Sequence, residues 1–165
     1  MTLIETVVKV GIADMNTVRG IGSIRTSGLG SCVGVVLYDD TVGIAGMVHV
    51  MLPSSAIAKE GPLNSAKYAD SGVEELIRSL KGMGAALHRL KCKMAGGAQM
   101  FQLSSKSDRM RIGPRNVEAV REILEKNNIP VIGEDVGGSK GRTIEFFVSD
   151  FTLQVRTVNE GIKIL

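Results

Sequence analysis

Residues 26–53 read TSGLGSCVGVVLYDDTVGIAGMVHVMLP, and the fold follows from how this stretch is read. Val33 to Tyr38 is a short, β-branched run, and Gly43 to Leu52 is a second apolar run closed by Pro53. Both have the length and composition of strands. Asp39-Asp40-Thr41 between them is turn chemistry. Strands joined by so short a turn pair antiparallel. Upstream, Thr26-Ser27-Gly28-Leu29-Gly30-Ser31-Cys32 is rich in small residues and reads as a loop running straight into the first strand.

Working outward, Thr6 to Met15 predicts one strand with Val8, Val10 and Ile12 on one face, and Gly20 to Ser23 a link. Ser54 to Leu63 contains Ser, Gly and Pro and predicts a surface loop, a candidate mobile flap. A helix is expected over about Ser65 to Met83, with Ala69, Val73, Leu76, Ile77 and Leu80 on one stripe and Gly82 and Gly84 stopping it. Leu87 to Ala95 reads as a strand with Leu90, Cys92 and Met94 facing one way and Lys91 and Lys93 the other, ended by Gly96-Gly97. The second helix starts near Pro114, buries Val117, Val120, Ile123 and Leu124, and stops at Asn127-Asn128. Val131 to Glu134 is a short strand, and Gly137, Gly138 and Gly141 mark a loop. Arg142 to Val148 and Phe151 to Thr157 form a closing hairpin with one wet face. This order predicts an α/β fold: a mixed, largely antiparallel β-sheet sandwich with two main helices. Residues 1–165 read as a single domain, with no repeat, low-complexity segment or linker.

Composition narrows the function classes. The chain has 165 residues, 44% of them hydrophobic, which is enough to bury a core without disulfides or metal. The net charge is +3, and Lys and Arg are scattered rather than blocked, so neither a nucleic-acid patch nor a membrane-surface patch is indicated. No signal peptide and no membrane-spanning run is read. Two cysteines, Cys32 and Cys92, are too few for a disulfide framework and fit a reducing compartment, so a cytoplasmic location is expected.

The chemistry centres on Cys32 and His49. If the hairpin turn is centred between Asp40 and Thr41, Cys32 lies directly opposite His49 with Cβ atoms about 4.5–5.5 Å apart; a bulge would break this register. An imidazole beside a thiol can take its proton and produce the thiolate, the nucleophilic form. Attack on a carboxamide creates an oxyanion, and the loop Gly28-Leu29-Gly30-Ser31 can aim backbone N–H groups at it. Thr26, at the far end of the loop, is the candidate that orients the imidazole. Against this stands the structural reading: a buried Cys is commonly a small hydrophobe, and a lone His is commonly satisfied by its surroundings. Cys92, four residues after His88, faces the core and reads as structural. The Cys and His spacings match no common zinc pattern, and the Gly28, Gly30, Gly34 spacing is not that of a dinucleotide loop, so no metal and no cofactor is expected. Gly96-Gly97 and Gly137-Gly138 are turns that could border the site.

The segment from Thr26 to Cys32, together with Gly46-Met47-Val48-His49-Val50-Met51-Leu52-Pro53, resembles the chemoreceptor glutamine deamidases of the CheD family. The resemblance continues through Lys67-Tyr68-Ala69-Asp70, Ala95-Gly96-Gly97-Ala98, Ile112-Gly113-Pro114-Arg115-Asn116 and Glu134-Asp135-Val136-Gly137-Gly138. At Val136, Thr is the familiar residue. The resemblance implies Cys32 as nucleophile, His49 as base and acid, and Thr26 as the orienting group. It implies a fold similar to that of bacterial toxins that deamidate GTPases. It implies glutamine side chains on the cytoplasmic helices of methyl-accepting chemotaxis receptors as substrate, and a CheC-type phosphatase as a partner whose activity is stimulated. A monomer is expected in isolation. Tyr68 and the Ser54 to Leu63 loop are the candidates for gripping the receptor. Two other readings stay open at this point: a non-catalytic adaptor using the same surface, and a thiol amidase for small molecules.

Overall fold

The computed structural model describes residues 6–58, 61–100 and 111–165. Its strands form two five-stranded sheets. One sheet runs β1 (Val7–Lys9), β3 (Ser23–Leu29), β8 (Arg142–Phe147), β9 (Thr152–Thr157) and β10 (Gly161–Ile164), in that order. The other runs β2 (Met15–Arg19), β5 (Ile44–Val50), β4 (Val33–Asp39), β6 (Lys91–Gly96) and β7 (Val131–Val136). The β1/β3 and β6/β7 pairs are parallel and the rest antiparallel, so the expected mixed, largely antiparallel sandwich is what forms. Helices α1 (Ala69–Gly82) and α2 (Ile112–Lys126) cover the outer face of the β4-centred sheet.

This stacking explains the sequence patterns. Every residue of β4 and β5 is buried, because their sheet is covered by helices on one side and by the other sheet on the other. Val35, Leu37, Val48 and Val50 face the helices, where they meet Leu76 and Leu80 of α1 and Val120 and Leu124 of α2. Burying each such Leu contributes about 1.5–3 kcal/mol. Val36, Ala45 and Met47 face the sandwich interior against Ile24, Ile144, Phe146 and Leu153. By contrast β8 alternates buried and half-buried residues, since its second face is open to water. The buried stripes of both helices are those the spacing predicts.

The structure corrects several boundaries. The single strand expected over Thr6 to Met15 is two strands in different sheets. Ala13 sits at φ 55 between them, and Asp14 accepts from the Met15 amide through Oδ1 at 2.8 Å, so the chain turns there and Ile12 is exposed. Thr26 to Leu29 is not loop but the end of β3, bulged between Thr26 and Leu29 against β8. The helix expected from Ser65 begins at Ala69, after a 3-10 turn at Ser65–Lys67. The strand expected from Leu87 begins at Lys91, after a 3-10 turn at Leu87–Arg89. Edge strand β10 is exposed along its length and carries no burial pattern that marks it in the sequence.

The hairpin turn is also displaced. Its loop is Asp40-Thr41-Val42-Gly43, closed by Gly43 N–H donating to Asp39 O at 3.1 Å, with Asp39 paired to Ile44. His49 therefore pairs with Gly34, and Cys32 lies just outside the ladder, which ends at Val33 and Val50. The register is two residues from the one expected. An even shift preserves the face, so Cys32 and His49 still lie on the sandwich side of their sheet.

Candidate active site

His49 is fully buried and is reached from the other sheet by Thr26, whose Oγ1 lies 2.8 Å from His49 Nδ1. Gly34 makes this approach possible. A Cβ there would stand 2.6 Å from Ile144 Cδ1 and 3.2 Å from Leu29 Cδ1 of the facing sheet, so glycine lets the two sheets meet closely beside His49. Thr26 Oγ1 also donates to the Val10 carbonyl at 2.8 Å. A hydroxyl has one proton, and a carbonyl can only accept. With that proton given to Val10, Thr26 accepts from Nδ1–H of His49, which fixes the tautomer. Nε2 is then the bare, basic nitrogen, and it is buried with no hydrogen-bond partner among the described residues. Burial holds the imidazole pKa below its ordinary value, so His49 rests neutral near neutral pH.

Cys32 is partly buried and free. Burial pushes its thiol pKa up, partly opposed by its own backbone N–H, so it rests as a thiol. Its sequence offset from Gly34 makes it the diagonal neighbour of His49, a relation that spans about 7–8 Å in regular sheets and less between side-chain ends. The backbone around it is held tightly. Ala98 N–H donates to Gly30 O at 2.8 Å, Asn116 Nδ2 to Ser31 O at 3.0 Å, and Gly97 N–H to Cys32 O at 2.8 Å. Because a trans peptide points its C=O and the next N–H in opposite directions, pinning the Gly30 and Ser31 carbonyls turns the Ser31 and Cys32 amides the other way. Gly30 N–H is engaged by Gly28 O at 3.1 Å, and Gly28 lies in the β3 bulge at φ 73. Of the segment Gly28 to Ser31 expected to supply oxyanion donors, Gly30 N–H is therefore engaged, while the pinned carbonyls orient the Ser31 amide and that of Cys32 away from them.

Gly96-Gly97 does border the site. A Cβ on Gly96 would lie 2.2 Å from Cys32 O, and Gly96 sits at φ 114, so this contact requires glycine. Gly137 N–H donates to Gly96 O at 3.0 Å, which brings the second glycine pair up behind the first. Two residues escaped the sequence reading as site residues. Asn116 is fully buried and donates through Nδ2 to Met51 O at 2.9 Å as well as to Ser31 O. Arg142 is buried and donates to Gly96 O at 3.2 Å, Gly137 O at 2.8 Å and Asp135 Oδ1 at 3.2 Å. Asn on an amphipathic helix and Arg at a strand start read as surface residues, which is why neither stood out.

Other candidates go elsewhere. Tyr68 is 6% exposed and precedes α1, with a backbone bridge from its position to Leu52. The first half of the Ser54 to Leu63 loop is anchored: Ser55 donates to Asp70 through its amide at 2.9 Å and its hydroxyl at 2.8 Å. Lys59 and Glu60 of that loop lie outside the described residues. Cys92 is fully buried among the residues facing the helices, and its pKa is driven upward by burial, as expected of a structural thiol. A groove of about 530 Å³ lies between Pro53-Ser54 and α2, lined by Arg115, Glu118 and Glu122 rather than by Cys32 or His49. Among the described residues no group of His, Cys, Asp and Glu side chains is arranged to hold a metal ion. No helix among them is long and apolar enough to cross a membrane.

Comparison with known proteins adds to this geometry. The model of the family described as CheD chemotactic sensory transduction matches residues 51–157, more than half of the chain. A chemoreceptor glutamine deamidase CheD of Halalkalibacterium halodurans is 57% identical over 157 residues, spanning 95% of this chain and 97% of its own length. The protein of the same name from Bacillus subtilis is 54% identical over 157 residues, 95% of either chain. That from Bacillus velezensis is 56% identical over 155 residues, 94% of this chain and 93% of its own.

Proposed function

The chain belongs to the CheD family, and on that premise we propose that it is a chemoreceptor glutamine deamidase, hydrolysing glutamine side-chain amides of methyl-accepting receptors to glutamate. The observation that carries the reading is the His49 imidazole, held by Thr26 as the Nδ1–H tautomer with Nε2 bare and buried on the face of the sheet that also carries Cys32. A histidine kept only for packing would have both nitrogens satisfied.

The reaction follows from that state. Nε2 takes the thiol proton of Cys32, and the thiolate attacks the carboxamide carbon. The tetrahedral oxyanion is met by the Ser31 and Cys32 amides, which need no reorganisation because the carbonyls behind them are already pinned. The His49 imidazolium gives its proton to the nitrogen, the C–N bond breaks, and ammonia leaves a thioester on Cys32. Water, deprotonated by His49, then attacks the thioester and releases glutamate and the thiol. Thr26 accepts from Nδ1–H throughout and stabilises the ring while it is charged. Residues 1–165 act as a single, cytoplasmic domain, monomeric in isolation and without a cofactor. The resemblance carries a partner as well: a CheC-type phosphatase occupying the receptor-binding face as a mimic, since a surface that accepts one helix accepts another.

The test is mass spectrometry of a receptor cytoplasmic fragment incubated with this protein or with Cys32→Ala. Each converted glutamine adds about 1 Da, and an acyl-enzyme appears as an adduct on Cys32. Conversion at specific glutamines with the parent and none with Cys32→Ala is the expected result. No conversion across several receptors would leave the adaptor reading in its place.

A further inference from the structure

The β4/β5 ladder ends at Val33 and Val50, yet the halves of the site lie on either side of that end: Cys32 one residue beyond on one strand, His49 one residue within on the other. Beyond the last rung the Cys32 segment is held from the β6 side, by Gly97 and Ala98, and the β4/β5 ladder itself no longer ties it to the strand carrying His49. Asn116 bridges that gap. Its Nδ2 donates one hydrogen to Ser31 O at 3.0 Å, immediately before Cys32, and the other to Met51 O at 2.9 Å, two residues past His49. Both hydrogens are used, so the carboxamide cannot flip without turning its oxygen onto two carbonyls.

The residue is kept there against its own interest. Asn116 is fully buried, and its Oδ1 has no hydrogen-bond partner among the described residues. An apolar side chain of similar shape would spare the bare Oδ1 but would strip the Ser31 and Met51 carbonyls of their shared donor. What Asn supplies and an apolar residue cannot is a single nitrogen that holds two carbonyls of different strands at once. Its own element is fixed in turn: a Cβ on Gly113 would stand 2.2 Å from Ala98 O, so the start of α2 is seated directly on the segment that donates to Gly30 and Cys32.

We infer that Asn116 is a positioning residue for amide hydrolysis, replacing the missing rung of the hairpin and setting the separation of the Cys32 thiol from His49 Nε2. The inference rests on the deamidase reading above. It predicts that the residue acts through the pair and not through receptor binding, because its side chain is buried beneath the loop.

Asn116→Ala and the near-isosteric Asn116→Asp, whose carboxylate cannot donate, are compared with the parent for deamidation of the receptor fragment. Expected is a loss of about 100-fold in kcat with KM unchanged, as misplacement of reacting groups produces, and no rescue by Asp. A second readout needs no receptor: the rate of Cys32 alkylation by iodoacetamide, measured for the parent, Asn116→Ala, His49→Ala and the double variant. If Asn116 acts by holding the pair together, its removal slows alkylation in the parent background and changes it little once His49 is gone. Equal effects in both backgrounds, or full activity in Asn116→Asp, would overturn the inference. Should Asn116→Ala not fold, Asn116→Ser keeps one of the two bonds and is expected to fall between Asn and Ala. If neither variant folds, the residue serves stability alone and the inference fails. Absence of deamidation by the parent protein would instead count against the deamidase reading, and the alkylation cycle separates the two.

Discussion

The Thr26 hydroxyl has one proton, and its destination decides what His49 can do. Given to Val10 O, it leaves Thr26 an acceptor and His49 Nε2 a base. Thr26→Val keeps the volume and removes both interactions. Nδ1–H then loses its acceptor inside the sandwich, and the ring is free to take the opposite tautomer, in which Nε2 carries the proton and cannot act as base. Deamidation is expected to fall by at least about 10-fold in kcat, and stability by about 1–3 kcal/mol, because two buried groups lose their partner. Steady-state kinetics on the receptor fragment and chemical denaturation measure the two effects; unchanged kcat would remove Thr26 from the mechanism. Residue types were the legible part of the site. Cys32, His49 and Thr26 are reactive or polar residues in otherwise small or apolar surroundings, and such residues stand out in a sequence. Asn116 and Arg142 do not, because only the fold shows that they are buried.

At the scale of elements, the hairpin was legible as a hairpin but not in its register. Apolar runs bounded by turn residues identify strands, whereas register depends on where the turn closes, and Asp39 decides that here. Its carboxylate is buried and accepts from the Thr41 amide at 3.1 Å, the Ala86 amide at 3.0 Å and Arg89 Nε at 3.0 Å. Burial pushes its pKa up, but these donors outweigh burial and hold it below the usual carboxylate value. Asp39 thus belongs to the ladder and the loop starts one residue later, through contacts with a segment almost fifty positions away that no local pattern reports. The resulting Gly34–His49 pair is testable. Gly34→Ala places a methyl group 2.6 Å from the end of Ile144, which can shift, and 3.5 Å from Thr26. Overpacking of this kind costs about 1–3 kcal/mol. Deamidation is expected to drop well beyond what the lost stability explains, since relieving the contacts with Ile144 and with Leu29 at 3.2 Å spreads the two sheets that bring Thr26 to His49. A fully active Gly34→Ala protein, checked by thermal melting alongside the assay, would show that the approach of the sheets is not what seats the imidazole.

For the whole molecule, the helix–sheet–sheet stack was legible because burial on two faces and on one face leave different patterns: continuous apolar runs in β4 and β5, alternation in β8 and β9. Less legible were the short strands at the sheet edges, β1 and β10, which bury too little to carry a pattern. The same stack puts His49 between the sheets, and this has a consequence for stability. Burial lowers its pKa, so the folded protein keeps the ring neutral at pH values where the unfolded chain protonates it. Below the unfolded value of about 6.5 the unfolded state therefore binds the extra proton. Stability contributed by neutral His49 is fully present above that value and is lost as pH falls toward the folded pKa, by at most about 1.4 kcal/mol per pH unit for one group. A His49→Gln protein cannot titrate there, while every other ionisable group is common to both proteins. The difference in unfolding free energy between the parent and His49→Gln, measured by urea denaturation from about pH 7.5 to about pH 5.5 around the ordinary histidine value, is expected to shift steadily against the parent as pH falls. A difference that stays constant over that range would mean that the imidazole accepts a proton in the folded state as readily as in water. The ring could not then rest as the neutral base on which the proposed thiol chemistry depends.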